Sequence, residues 1–298
     1  EEMPAKVTGN DCFTSHPSLN DWYETVKLNY GVDYYAGGVG HFQPIPDTWS
    51  KMTDILLFWA KKGIDGFRCD MAEMVPAAFW QWATDKAKFA YPDKIFIGEV
   101  YNPAEYRNYL AAGFDYLYDK EGMYDTLRAI VCGHQSTHAI PGAWQATDDI
   151  RDHMLYFLEN HDEQRIASSF FAADDMKGVP ALVVSALLQQ NPLMVYAGQE
   201  YGERGMDKEG FSGNDGRTTI FDYWSIDTLV RAARGRLTVA EKRLRDIYNK
   251  VMMIAGSEQA VTAGSTFDLM YVNGHLYRQY AFLRTYKADA LLVVANFE

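Results

Sequence analysis

Arg68 and Asp70 stand two residues apart at the end of a short, mostly apolar run that follows Gly63. On a β-strand, residues two apart point to the same face, so we expect these two side chains to lie side by side. A guanidinium beside a carboxylate favours the charged form of that carboxylate. The charged form is the one that attacks as a nucleophile. The same spacing also suits a structural ion pair, and taken alone it leaves both interpretations open.

Two further acids, Glu99 and Asp162, follow other strand-like runs, and Asn160 and His161 stand just ahead of Asp162. In barrels of parallel strands, the chemistry is built at the carboxyl ends of several strands. Cleavage of a glycosidic bond needs two carboxyl groups, one ionised and one protonated. The third acid would stabilise positive charge or bind sugar hydroxyls. Together with Asp70, the two acids predict glycoside chemistry, provided that the strands share a sheet.

The elements that must position these acids alternate between strands and helices. A helical pattern covers residues 49–62, and Gly63 suits its carboxyl end. Continuous apolar strands separated by helices are typical of parallel βα units. The predicted strands are 64–70, 95–100, 114–118, 154–160 and 192–198.

The pattern changes after Gly256. Strands are predicted at 267–272, 276–285 and 291–296 with no helix between them, so residues 257–298 are interpreted as the start of an antiparallel β domain. Residues 48–256 form the α/β catalytic part. Residues 1–47 are broken by glycine and proline and are interpreted as a loop or excursion segment that precedes it.

Composition excludes some classes of partner and leaves the compartment open. The 298-residue chain carries a formal net charge of -12, which argues against nucleic acid, and no apolar run is long enough for membrane insertion. The three cysteines, Cys12, Cys69 and Cys132, have neither zinc spacing nor a disulfide framework. No signal-peptide pattern is present at residues 1–4. The compartment therefore stays open.

Four short segments carry a resemblance to a known family. They are Gly66-Phe67-Arg68-Cys69-Asp70, Gly98-Glu99-Val100-Tyr101, Phe157-Leu158-Glu159-Asn160-His161-Asp162 and Tyr196-Ala197-Gly198-Gln199-Glu200. Their order and spacing are similar to those of the α-amylase family of glycoside hydrolases. The resemblance extends from about residue 20 to the carboxyl terminus, and residues 213–224 resemble the bacterial branch that acts on starch fragments.

The resemblance implies a role for each acid. Asp70 would attack the anomeric carbon, Glu99 would act as acid and then base, and Asp162 would stabilise the transition state. Arg68 would orient Asp70, and His161 would hold sugar hydroxyls. The predicted substrate-binding residues are Arg68, Asn160, His161 and Tyr101.

The resemblance also implies parts that this sequence does not contain. The five strands correspond to about strands four to eight of a (β/α)8 TIM barrel, so the expected fold is a partial TIM barrel followed by the start of the β domain. We expect the chain to be a fragment of a longer enzyme whose exposed barrel edges favour self-association. Calcium is an expectation of the resemblance alone. Glu73 and Met74 stand where many members have Lys and His.

The predicted function is a retaining glycoside hydrolase that cleaves α-1,4-glucosidic bonds of starch or maltooligosaccharides by double displacement. Three alternatives remain open. Transglycosylation uses the same acids with a sugar acceptor. A non-catalytic carbohydrate-binding or scaffold relative would typically lose an acid, whereas all three are present. A metal enzyme would use the acids as ligands, although Arg68 would compete with the metal for Asp70.

Overall fold

The computed structural model describes residues 18, 21, 27–206, 215–221 and 223–298. Cys12, the signal-peptide expectation and most of residues 1–26 lie outside these ranges. So do residues 213, 214 and 222 of the segment 213–224 that resembles the bacterial branch. The chain separates into two compact units, Glu1–Leu117 and Tyr118–Glu298. The predicted boundaries near residues 47 and 256 differ from this division and remain a prediction.

The first unit alternates strands and helices. Its elements are β1 (Val32–Asp33), β2 (Val39–Gly40), α1 (Asp47–Lys61), β3 (Gly66–Cys69), α2 (Ala77–Ala90), β4 (Ile95–Gly98), α3 (Tyr106–Ala111) and the first residues of β5 (Tyr116–Tyr118). β1 and β2 pair antiparallel, whereas β3 pairs parallel with β4, and β4 pairs parallel with β5. The predicted helix and the first three predicted strands are confirmed.

The glycine at position 66 allows β3 and β4 to lie close together. A side chain at Gly66 would place its Cβ 2.2 Å from the carbonyl oxygen of Ile95, so only glycine fits at this crossing. Behind the strands, Phe79, Trp80 and Phe96 are buried, and the Trp80 indole donates a hydrogen bond to the carbonyl of Ala72 at 3.0 Å. This core fixes the strand ends at which the acids stand.

The second unit begins with βα elements and continues into an antiparallel sheet. Its elements are α4 (Asp125–Val131), α5 (Ala139–Gln145), β6 (Met154–Phe157), α6 (Val179–Leu187), β7 (Leu193–Met194), α7 (Asp227–Ala233), α8 (Val239–Ser257), α9 (Gln259–Thr262), β8 (Ser265–Asp268), β9 (Gln279–Tyr286) and β10 (Asp289–Asn296). β6 and β7 pair parallel, and β9 lies between β8 and β10 in an antiparallel sheet. Of its helices, α8 begins with a capping box formed by Thr238 and Glu241.

The predicted strand at 267–272 is displaced toward the carboxyl terminus, because β8 spans Ser265–Asp268. β8 ends at Asp268, because the Asp268 carboxylate accepts a hydrogen bond from the amide of Met270 at 2.7 Å and turns the chain. A short 3-10 turn, Met270–Val272, follows. The next predicted strand, 276–285, begins three residues later than expected, at Gln279.

A buried arginine joins this sheet to the helices. Arg284 on β9 is 2% exposed, and its guanidinium donates to the carbonyls of Leu188, Ala260, Val261 and Gly264 at 2.6–3.1 Å. Burial lowers the pKa of this guanidinium to about 10. The contacts tie the antiparallel sheet to the residues that follow α6 and to α9.

Candidate active site

Arg68 lies between two carboxylates at the carboxyl ends of β3 and β4. Its Nη1 pairs with Oδ1 of Asp70, and its Nη2 lies 3.1 Å from Oε1 of Glu99. The parallel register, in which Cys69 pairs with Gly98, places Asp70 and Glu99 at the same end of the sheet. The predicted proximity of Arg68 and Asp70 is therefore observed, and the same guanidinium also reaches Glu99.

The two carboxylates differ in exposure. The side chain of Asp70 is 68% exposed, whereas that of Glu99 is 8% exposed. Glu99 accepts hydrogen bonds from the Tyr101 hydroxyl at 2.8 Å and from the Met71 amide at 2.7 Å, one on each oxygen. The arrangement combines an accessible carboxylate with a buried one that is held in a single orientation.

Met71 has a left-handed backbone with φ of 45°. This conformation costs a non-glycine residue on the order of 1 kcal/mol and is found preferentially at functional sites. Here it follows Asp70 directly and turns the Met71 amide to Glu99.

Glu73 was not among the predicted site residues, yet its carboxylate accepts hydrogen bonds from two successive amides, Tyr101 at 3.2 Å and Asn102 at 3.1 Å. The turn after β3 is thereby joined to the loop after β4. Tyr101 was predicted to bind substrate. The structure shows its contact with Glu99, and the substrate role remains a prediction.

In the second unit, Asn160, His161 and Asp162 form the turn after β6. Asn160 is 2% exposed, and its Oδ1 accepts hydrogen bonds from the amides of Asp162 and Glu163, both at 2.9 Å. Nε2 of His161 lies 3.2 Å from Oδ2 of Asp162. The turn therefore brings His161 and Asp162 together, while Asn160 stabilises it from within. The predicted substrate contacts of these residues remain predictions.

A buried ion pair holds this turn in place. Arg165 is fully buried, and its Nη1 donates to Oε2 of Glu159 at 2.8 Å. The same guanidinium donates to the carbonyl of Ala197 at 2.9 Å and contacts the hydroxyl of Thr218. Burial raises the pKa of Glu159, and Arg165 opposes that rise. Three segments far apart in sequence meet at this arginine, which the sequence motifs did not identify.

Asp119 is a fourth acid that follows a parallel strand, and the sequence analysis missed it. It stands directly after β5, its side chain is fully buried, and Oδ1 accepts a hydrogen bond from the Met123 amide at 3.0 Å. Burial raises the pKa of Asp119 to about 6. Asp119 directly follows the predicted strand 114–118, and this position could have identified it as an acid at a strand end. Its contacts cap the following helical turn.

Among the residues in the described ranges, no group of three or more His, Cys, Asp or Glu side chains could hold a metal ion. The calcium ion implied by the resemblance remains an expectation of that resemblance. The same part of the chain contains no helix long and apolar enough to cross a membrane.

Comparison with known proteins gives consistent matches. The family model described as alpha amylase, catalytic domain, matches residues 45–235. Alpha-amylase MalA of Haloarcula japonica is 28% identical over 257 residues, which cover 83% of this chain and 33% of that protein. An alpha-1,4-glucan:maltose-1-phosphate maltosyltransferase of Cereibacter sphaeroides is 28% identical over 98 residues, 29% of this chain and 16% of that protein. The chain thus spans a third or less of these two relatives.

A solved structure shows the fold. The alpha-amylase from H. orenii matches with a TM-score of 0.68 at 20% sequence identity, covering 99% of this chain and 65% of that one. The predicted fold class, a partial TIM barrel followed by the start of an antiparallel β domain, is confirmed by this match together with the strands described above.

Proposed function

Because this chain belongs to the α-amylase family, we propose that it is a retaining glycoside hydrolase that cleaves α-1,4-glucosidic bonds of starch or maltooligosaccharides by double displacement. Members of this family act on α-glucans. The observation that carries the proposal is the contact of one guanidinium, Arg68, with both Asp70 and Glu99. Retaining enzymes use two carboxyl groups placed close together, and a shared guanidinium keeps these two close.

In the first step, Asp70 attacks the anomeric carbon while Glu99 donates a proton to the departing glycosidic oxygen. The bond to the leaving sugar breaks, and an ester bond forms between Asp70 and the glucosyl unit. In the second step, Glu99 takes a proton from water, whose oxygen attacks the anomeric carbon and releases Asp70. Two inversions give net retention.

The exposure of the two acids suits these roles. Asp70, at 68% exposure, is open to an incoming sugar, and it pairs with the Arg68 guanidinium. Glu99 is buried and hydrogen-bonded at both oxygens, so its orientation is fixed before substrate arrives. We assign Asp162 to stabilising the positive charge of the transition state and His161 to sugar hydroxyls, in line with their place in the family motif.

The experiment that tests this proposal is release of reducing sugar from maltoheptaose by the chain, compared with Asp70→Asn and with the exposed control Asp85→Asn. The chain and the control are expected to release sugar, and Asp70→Asn is expected to lose at least about 10³-fold in rate, because the nucleophile is removed. Equal rates in the two variants would contradict the assignment. Proton NMR of the first product is expected to show the α-anomer.

A second candidate is glycosyl transfer, favoured by the similarity to a maltosyltransferase over 29% of the chain. The glycosyl-enzyme would then be intercepted by a sugar or phosphate acceptor in place of water. Product analysis with added maltose or inorganic phosphate separates the two, because transfer yields longer oligosaccharides or a glycosyl phosphate.

A further inference from the structure

We propose that Glu73 is a positioning residue for the proposed acid/base Glu99, acting through the backbone of residues 101–102 and the hydroxyl of Tyr101. This rests on the proposed function and extends it to a residue that the sequence motifs did not assign. In this proposal Glu73 does not touch the sugar. It fixes the loop from which the Tyr101 hydroxyl reaches Glu99.

The contacts form a continuous path. Oε2 of Glu73 accepts hydrogen bonds from the amides of Tyr101 and Asn102 at 3.2 and 3.1 Å. Hydrogen bonds to a charged carboxylate are about twice as strong as those between neutral groups. The Tyr101 hydroxyl then donates to Oε1 of Glu99 at 2.8 Å. Without the carboxylate of Glu73, both amides lose their acceptor, and residues 101–102 lose this contact with the turn after β3.

The other oxygen of Glu99 is held by the same turn. The Met71 amide donates to Oε2 of Glu99 at 2.7 Å, and the Met74 amide closes the turn on the carbonyl of Met71 at 2.9 Å. Residues 71–74 therefore orient both oxygens of Glu99, one directly and one through Glu73 and Tyr101. A carboxyl group with both oxygens fixed presents its proton along one direction.

The turn that carries Glu73 is itself anchored. The hydroxyl of Tyr109 on α3 lies 3.0 Å from the carbonyl oxygen of Glu73 and 2.9 Å from that of Val75. Tyr109 is 4% exposed, and burial raises the pKa of its hydroxyl, which keeps the proton available for these contacts. These contacts hold the backbone of Glu73 in place. From this position its carboxylate reaches the amides of Tyr101 and Asn102.

The test compares two substrates that differ in their need for an acid. A maltooligosaccharide needs its leaving oxygen protonated, whereas α-maltosyl fluoride releases fluoride without that proton. Glu73→Ala is expected to lower kcat/KM on maltotetraose about 10-fold to 100-fold, part of the about 10²- to 10⁴-fold that a positioned acid contributes. On α-maltosyl fluoride its kcat/KM is expected to change by less than about 3-fold, since kcat/KM covers the steps through formation of the glycosyl-enzyme, and fluoride leaves in that step without a general acid. The later action of Glu99 as base does not enter kcat/KM for either substrate.

Four further variants complete the test. Glu73→Gln keeps an acceptor oxygen and is expected to recover most of the rate. Tyr101→Phe is expected to show the same difference between substrates, and the double variant Glu73→Ala/Tyr101→Phe should be no slower than about 3-fold below the slower single variant, because both act on one path. Glu121→Gln, an exposed acid in the second unit, is the control and should match the parent.

Hydrogen exchange of the Tyr101 and Asn102 amides gives a readout that does not depend on activity. Exchange is expected to accelerate at least about 10-fold in Glu73→Ala and to remain at the parent rate in Glu121→Gln. Equal losses on both substrates, additive losses in the double variant, or unchanged exchange would overturn the proposal. If the parent chain is silent on both substrates, the proposed function fails, and the exchange rates alone decide whether Glu73 holds the loop.

Discussion

At the scale of single residues, the proposed chemistry depends on where Arg68 lies. It contacts both carboxylates of the proposed double displacement, although Asp70 is largely exposed and Glu99 is buried. The planar guanidinium of arginine has several N–H donors at fixed positions, so it can contact two carboxylates at once. The single ammonium group of lysine is less suited to this. The sequence predicted the contact with Asp70 because the two residues are neighbours on one strand face. The contact with Glu99 depends on the pairing of two strands and could not be obtained from the sequence alone.

Replacement of Arg68 by methionine is expected to lower kcat/KM on maltoheptaose about 10²- to 10³-fold, because one preorganised cation beside the reacting groups is lost. Arg68→Lys is expected to recover only part of the rate. Steady-state kinetics measure both. The exposed Lys51→Met serves as the control, and a variant at Arg68 as fast as this control would show that the ion pair is structural only.

A second residue-scale prediction concerns Asp119. Its pKa is raised to about 6 by burial, so it binds its proton more tightly in the folded state than in the unfolded state. Its contribution to stability is therefore fully present below about pH 4 and is lost as the pH rises through 6. Asp119→Asn keeps the cap on the Met123 amide without the charge. We expect the free energy of unfolding of the variant to match that of the parent near pH 4 and to exceed it by about 3 kcal/mol at pH 8.

Urea unfolding between pH 4 and pH 8 measures this difference. The exposed Asp246→Asn is the matched control and should follow the parent at each pH. A constant difference between Asp119→Asn and the parent across the range would contradict a buried carboxyl that titrates near pH 6.

At the scale of elements, the apolar runs, and the glycine at the end of the helical pattern, were sufficient to predict α1 and the parallel strands. The predicted ends of the elements after β7 were less accurate. A side chain such as Asp268 ends a strand by accepting a local hydrogen bond, and the hydropathy pattern does not reveal such a contact. The buried pair of Glu159 and Arg165 was missed for another reason. Its remaining partners, Ala197 and Thr218, lie 32 and 53 residues farther along the chain, so the network exists only after folding.

Arg165→Met is expected to lower the free energy of unfolding by about 3–5 kcal/mol, because it leaves the Glu159 carboxylate buried without its partner. The double variant Glu159→Gln/Arg165→Met is expected to recover part of this loss. Urea denaturation measures both. Arg151→Met, which breaks the exposed pair with Asp148, is the control and should cost less than about 1 kcal/mol. A loss of that small size at Arg165 would argue against the network.

At the scale of the whole molecule, the first unit retains an apolar surface that its own described elements leave open. Ile55, Phe58 and Trp59 on α1 are each about half exposed. Among the strands the structure describes in this unit, β3 pairs only with β4. Exposed apolar groups of this size beside an open strand edge favour association. The sequence predicted such an edge from the number of strands, and the exposed side chains on α1 became visible only in the structure.

Self-association is therefore expected at micromolar concentration, and sedimentation velocity measures it. Phe58→Asp/Trp59→Asp should shift the distribution toward the monomer, because charges are placed on the apolar surface. Phe89→Asp replaces an isolated exposed aromatic residue on α2 of the same unit and should leave the distribution unchanged. A parent chain that is monomeric at all concentrations would contradict this expectation.

The proposed double displacement requires a covalent bond between Asp70 and the glucosyl unit. The most direct measurement is mass spectrometry of the chain after incubation with a 5-fluoro-α-maltosyl fluoride, followed by peptide mapping. A fluorinated glycosyl-enzyme should accumulate, because the fluorine substituent slows hydrolysis of the ester. One added fluoromaltosyl group is expected on the peptide that contains Asp70, and none is expected in Asp70→Asn. An adduct on another residue, or hydrolysis of maltoheptaose with no adduct at all, would contradict it.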